Sequence, residues 1–136
     1  MKRVSARAII IENNNLLVMF RRKIKDDIIK EYYAIPGGGV EEDETPEETV
    51  KREMYEEANI KIGILGYLGT YEDENSIQHY YHCYIKEGTP VLGGEEKERM
   101  TENNYYELRF ESITNLHSLD LICEDKVINA INGKYE

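Results

Sequence analysis

Tryptophan is absent, and cysteine, phenylalanine, proline and histidine are scarce: 136 residues hold two Cys, two Phe, three Pro and three His. Cys83 and Cys123 make no metal-ligand pattern, and a free pair fits a reducing interior. No apolar run approaches the roughly 18 residues of a membrane-spanning helix, and no secretory apolar region is seen. Cytoplasmic residence is the expectation. Basic residues are outnumbered, 17 Lys and Arg against 27 Asp and Glu, for a formal net charge of -10. That balance argues against nucleic-acid and membrane-surface partners, which need basic surface. A small anionic substrate stays open, provided something cationic stands between it and the protein. What remains is 40% hydrophobic and 32% charged, an ordinary soluble composition sized for one domain over 1–136.

"VSARAIII" (4–11) and "NLLVMFRR" (15–22) read as two strands around the turn-like "ENNN", a hairpin. "KIKDDIIKEYY" reads as polar and irregular, and "YYAIPGGGVEEDETPEE" breaks regular structure with its proline and three glycines. Two more strands are expected over 63–72 and 77–86, then a polar loop over 89–104, then strand-like "YYELRFESI". "CEDKVINAING" suits a short terminal helix with Val127, Ile128 and Ile131 inward and Gly133 as its stop. Strands interrupted by one helix and closed by another predict α/β or α+β layers.

The interrupting helix is well marked. Thr45 can be the N-cap, Pro46 sits where its missing N–H costs nothing, and Glu48 completes a capping box. The helix should run to about Ala58, with Asn59 in the left-handed position that glycine usually fills. At about 100° per residue, Val50, Met54 and Ala58 share an inward stripe. Glu53, Glu56 and Glu57 fall on another side, at the carbonyl end of the helix, where carboxylates are disfavoured and repel one another. Hard cations such as Mg²⁺ and Mn²⁺ relieve such repulsion and take oxygen ligands. The glycines of "PGGG" allow close backbone approach, so their carbonyls could add ligands. Glu44 could hold Arg52, and Arg52 could aim Glu53 or Glu56. A charged helix run is more often simply a solvated face. The spacing with Gly38 and Glu44 favours the chemical reading.

"GGVEEDETPEETVKREMYEEANI" (38–60) resembles the Nudix box: glycine, five residues, glutamate, seven residues, then R-E-U-x-E-E-x-G-U, with U apolar. Gly38, Glu44, Arg52, Glu53, Met54, Glu56, Glu57 and Ile60 match; Asn59 replaces the family's glycine. The resemblance implies a single Nudix domain, an α/β/α sandwich with a mixed sheet, a central catalytic helix and a C-terminal helix. It implies that Glu53, Glu56 and Glu57, with the carbonyl of Gly37 or Gly38, bind Mg²⁺ or Mn²⁺, and that Arg52 and Glu44 orient them. It implies hydrolysis of a nucleoside diphosphate linked to another moiety by water attack on phosphorus, and it leaves room for a homodimer. The general base in this family is a box glutamate or one from a later loop. "GGEEKERMTENNYYELRF" offers Glu95, Glu96 and Glu98, and its resemblance to a Gly-Gly-x-Glu…Arg…Asn-x-Tyr arrangement favours Glu96.

Arg7, Arg21 and Arg22 on the first two strands could clamp a phosphate. Period-2 alternation sends Arg21 and Arg22 to opposite faces, so at most one of that pair should reach the site. Base stacking falls to tyrosine or phenylalanine, with Tyr32, Tyr33 and Tyr105 as candidates and packing as the commoner role. His79 and His82 face opposite ways on a strand, which speaks against a zinc pair. Two rivals stand: a catalytically silent Nudix-like nucleotide-binding module, expected to lack box glutamates, and a solvated acidic helix with no active site.

Overall fold

A computed structural model describes residues 1–136. β1 (Arg3–Glu12) turns through Asn13-Asn14, both at positive φ, into β2 (Asn15–Lys25). Asp26-Asp27 repeats that two-residue device into β3 (Ile28–Ala34). The stretch expected to be irregular is therefore a regular hairpin. Its signal was hidden because β3 exposes Ile28 and Ile29, at 70% and 63%, so no buried face writes an alternating pattern. β4 (Gly37–Gly39) pairs antiparallel with β1 and precedes α1 (Pro46–Ala58). β5 (Lys61–Glu72) and β6 (Ser76–Glu87) lie close to their expected bounds. The polar stretch after them contains α2 (Gly94–Arg99), a six-residue helix with no buried residue and no side-chain cap, which left no periodicity to read. β7 (Asn104–Ser112), a 3₁₀ segment (Ile113–Leu119) and α3 (Glu124–Ile131) complete the chain.

The mixed seven-stranded sheet runs β3-β2-β1-β6-β5, with β4 also on β1 and β7 also on β2. Only β1 and β6 pair in parallel. Strand alternation divides the core. Ala6, Ala8, Ile10 and Leu17 face α1, where Val50, Met54 and Ala58 are fully buried. Ile9, Leu16, Val18 and Tyr80 face the other way, toward the 3₁₀ segment and α3. The layers are those the residue pattern predicts, in the mixed-sheet sandwich that the resemblance implies. No helix is long and apolar enough to cross a membrane.

α1 begins with the expected capping box. The Glu48 amide donates to Thr45 Oγ1 at 3.1 Å, and the Thr45 amide donates to Glu48 Oε1 at 2.9 Å. It ends at Asn59, left-handed at φ 58°, ψ 35°. α3 is rotated from expectation: Cys123, Val127 and Ala130 face inward, while Ile128 and Ile131 are 43% and 44% exposed. The buried stripe follows the i, i+4, i+7 register from Cys123, which a search for the largest apolar side chains misses. Gly133 does take a left-handed conformation just past the helix. Val127→Ala should therefore cost about 2 kcal/mol by chemical denaturation. Ile128→Ala should change stability by no more than about 0.5 kcal/mol; the reverse ranking would place the helix in the other register.

Candidate functional site

A cavity of about 620 Å³ opens between the glycine ribbon of β4, the carboxyl end of α1, α2 and the strands β1, β2 and β3. Gly38 is buried at its floor, and a Cβ there would overlap the Glu53 carboxylate. The absent side chain is what lets α1 bring Glu53 against the sheet edge.

Arg52 organises the surrounding acids. Its Nε and Nη2 donate to the two oxygens of Glu44 at 2.7 and 3.0 Å, a bidentate pair. Nη2 also reaches the Gly39 carbonyl at 3.1 Å, and Nη1 reaches Glu53 at 3.0 Å and Glu56 at 3.2 Å. Glu44 further accepts from Thr49 Oγ1 at 2.5 Å and the Glu41 amide at 3.1 Å. The Arg52 hydrogen bonds hold the Glu44 carboxyl down at about 2, and the same pair pushes the Arg52 guanidinium up. One guanidinium thus locks the loop, the glycine ribbon and two turns of α1.

Glu53, at 8% exposure, lines the cavity together with Glu57, Glu95 and Glu96. Burial first, then the Glu96 and Glu53 carboxylates, push Glu57 above the ordinary carboxylate range. Glu96 Oε2 is buried without a hydrogen-bond partner. Glu56 is different: its side chain is half exposed, it pairs with Arg52, and it is not part of the cavity wall. Glu98 is exposed.

The arginines separate as alternation predicts. Arg21 enters the cavity, with its guanidinium 4.4 Å from the Tyr106 ring centre and 5.5 Å from that of Tyr32. Its Nη2 donates to the Tyr106 hydroxyl at 2.6 Å, while its buried Nε has no partner. Arg22 turns away and stacks on Tyr105 at 4.9 Å, so neither of those residues joins the wall. Arg7 also lines the cavity, bonded to Gln78 and to the Ile35 carbonyl, and Tyr33 lines it with its hydroxyl near Arg109. Neither Arg7 nor Arg21 has a carboxylate partner. Gln78, Arg99 and Tyr106 join the same wall; Gln78 carried no signal in the sequence, whereas Arg99 and Tyr106 fall within the stretch that resembles Gly-Gly-x-Glu…Arg…Asn-x-Tyr. The pairing of β6 with β1 and of β7 with β2 brings in Gln78 and Tyr106, and α2, seated on the carboxyl end of α1, brings in Arg99. His79 bonds the Tyr67 hydroxyl at 2.8 Å and His82 that of Tyr135 at 2.9 Å.

The family model described as the NUDIX domain matches residues 1–120. A solved NUDIX hydrolase from Nitrosomonas europaea superposes with a TM-score of 0.71 at 15% identity, covering 99% of this chain and 92% of its own. An ADP-ribose pyrophosphatase from Streptococcus suis gives 0.65 at 14% identity, with coverage of 100% and 94%. A UDP-X diphosphatase gives 0.67 at 18% identity, and this chain, 98% covered, spans 64% of that protein's length. No curated protein matches. With the box, the sandwich and the family model in agreement, the chain belongs to the Nudix family of hydrolases. Nudix hydrolases generally use divalent metals. The donor chemistry here fits such an ion: carboxylate oxygens converge, one of them without a partner, over a glycine that leaves room for them. They are not drawn into a ready cage, since no group of three or more His, Cys, Asp or Glu side chains is arranged to hold a metal ion.

The raised proton affinity of Glu57 has a definite sign. A carboxyl that binds its proton more tightly when folded favours the folded state below its ordinary value and loses that advantage as pH rises toward its raised one. In chelator, the melting temperature should fall between about pH 5 and about pH 8, and Glu57→Gln should flatten that slope. A slope unchanged by the substitution would remove the crowding argument. Arg52→Ala should destabilise by roughly 2–3 kcal/mol in urea, because it strips partners from Glu44 and Glu53 together.

Proposed function

We propose that the chain, as one Nudix domain over 1–136, is a Mg²⁺- or Mn²⁺-dependent pyrophosphohydrolase. Its substrate would be a nucleoside diphosphate linked to another moiety. One observation carries the reading. Four carboxylates, Glu53, Glu57, Glu95 and Glu96, line one cavity whose wall also holds the guanidiniums of Arg7 and Arg21, neither of them in an ion pair. A solvated acidic helix would not turn its glutamates into a cavity, and the box retains every glutamate that a silent binding module would be expected to lose.

Glu53, Glu57 and the Gly38 carbonyl would hold the ion from the cavity wall, and Glu56, outside that wall and paired with Arg52, would have to turn inward to join them. Bound there, it would offset phosphate charge and lower the pKa of bound water. The chain's own residues do the rest. Arg7 and Arg21 take phosphate oxygens, which require cationic donors in a protein of net charge -10. Tyr33 borders the same space and offers a ring to a base. Glu96, in the same wall, takes the proton from the attacking water as the new P–O bond forms and the bridging P–O bond breaks. Arg52 and Glu44 keep Glu53 and Glu56 aimed, so neither needs to touch substrate.

The test is a screen of nucleoside triphosphates, including oxidised ones, with ADP-ribose, dinucleoside polyphosphates and sugar nucleotides, in Mg²⁺ and in Mn²⁺. Release of phosphate or pyrophosphate and the nucleotide product are followed. For the best substrate, Glu96→Gln should lower kcat by about 10²–10⁴ with little change in KM, and Arg21→Ala should raise KM. Nucleotide binding without turnover would sink the enzyme reading in favour of a silent module.

A further inference from the structure

Asn59 is the one position where the box departs from its family pattern, and its side chain is not idle. It donates from Nδ2 to the Val91 carbonyl at 2.7 Å. Beside that bond, the Val91 amide donates to the Ala58 carbonyl at 2.9 Å and the Gly93 amide to the Glu57 carbonyl at 2.8 Å. Those carbonyls are orphans of the helix end, so residues 91–93 complete α1 as a backbone cap. The approach is close. A Cβ on Gly93 would lie 2.9 Å from Asn59 Nδ2 and 3.0 Å from the Glu56 carbonyl, and one on Gly94 3.2 Å from that carbonyl. Gly93 is the N-cap of α2, so Glu96 follows within one turn of this anchored point.

We infer that Asn59 is a positioning residue: its amide ties the segment bearing Glu96 to the end of the helix bearing Glu53 and Glu57. The inference rests on the proposed role of Glu96. α2 buries no residue of its own and has no side-chain cap; this seam anchors its start, and the Asn104 Nδ2 bond to the Arg99 carbonyl at 3.4 Å anchors its end. The two main-chain bonds would survive any residue at 59; the third needs an amide donor of this length. Asn thus does two things at one position. It tolerates the left-handed backbone nearly as well as glycine does, and it reaches across to a neighbouring segment, which glycine cannot.

The experiment compares wild type with Asn59→Gly and Asn59→Asp. Glycine suits the backbone at least as well but has no tether, and aspartate keeps the shape but offers no donor to the Val91 carbonyl. Hydrogen exchange on the metal-free chain reads the tether without any turnover. Amides over 91–99 should exchange faster in both variants by about fivefold, as expected for one net hydrogen bond, with the melting temperature of the glycine variant unchanged or higher. With the best substrate, kcat should fall by a similar factor in both variants, KM should hold, and Asn59→Gly should have no further effect on top of Glu96→Gln. Unchanged exchange over 91–99 overturns the tether. Faster exchange with unchanged kcat overturns the positioning role. A wild-type chain that hydrolyses nothing in the screen would fail the proposed function instead, and exchange would still decide the tether.

Discussion

The site depends on a single guanidinium surrounded by acids. Arg52 is bidentate to Glu44, and the same head group reaches the Gly39 carbonyl, Glu53 and Glu56. These partners belong to three structures that would otherwise be free to separate: the loop before α1, the glycine ribbon, and the helix itself. A lysine could not serve, because a point charge cannot present parallel donors to one carboxylate while keeping others for a carbonyl and two further acids. The arrangement also explains the division among the box glutamates. Those paired with Arg52 have their charge offset within the protein. Glu57 and Glu96 have no such partner, and they crowd each other in the cavity.

What could be read from the sequence follows from where the constraints are local. α1 was legible from end to end, because cap, first-turn proline, inward stripe and left-handed stop all act within a few residues. The segment Ile28–Ala34 was not, because an exposed edge strand records no burial in its side chains and Asp-Asp is a weaker turn signal than Asp-Gly. α2 escaped for the same reason, having no buried face. In α3 the helix was evident but its facing was not, since Cys123 and Ala130 make the inward contacts while two isoleucines look out.

The candidate site divides along the same line. Gly38, Glu44, Arg52 and Glu53 occupy one continuous stretch with a specific spacing, and the fold gathers them around one loop and helix. Arg21 could be separated from Arg22 by strand alternation alone, and it is Arg21 that enters the cavity. Gln78 and Tyr106 required knowledge of which strands are neighbours, and no local rule supplies that. Glu56 shows the opposite case: its place in the motif is clear, yet its side chain is half exposed and bound to Arg52 rather than facing the cavity.

The parallel pairing of β1 with β6 has a consequence for how the chain is made. Every partner across that ladder is more than seventy residues away in sequence, from Arg3 with Ser76 to Ile10 with Cys83. The glycine ribbon and α1 both lie inside the loop so closed. Closing it carries an entropic penalty that is met only when distant contacts form together, which slows folding. On a ribosome, β1 must wait beside its hairpin partner until β6 has emerged. During that interval α1 has only the face of the β1–β2 hairpin to pack on, and residues 91–93, which close its carboxyl end, have not yet been made. The cavity therefore belongs to the late stage of folding, and a nascent chain would carry a recognisable box well before it had a site.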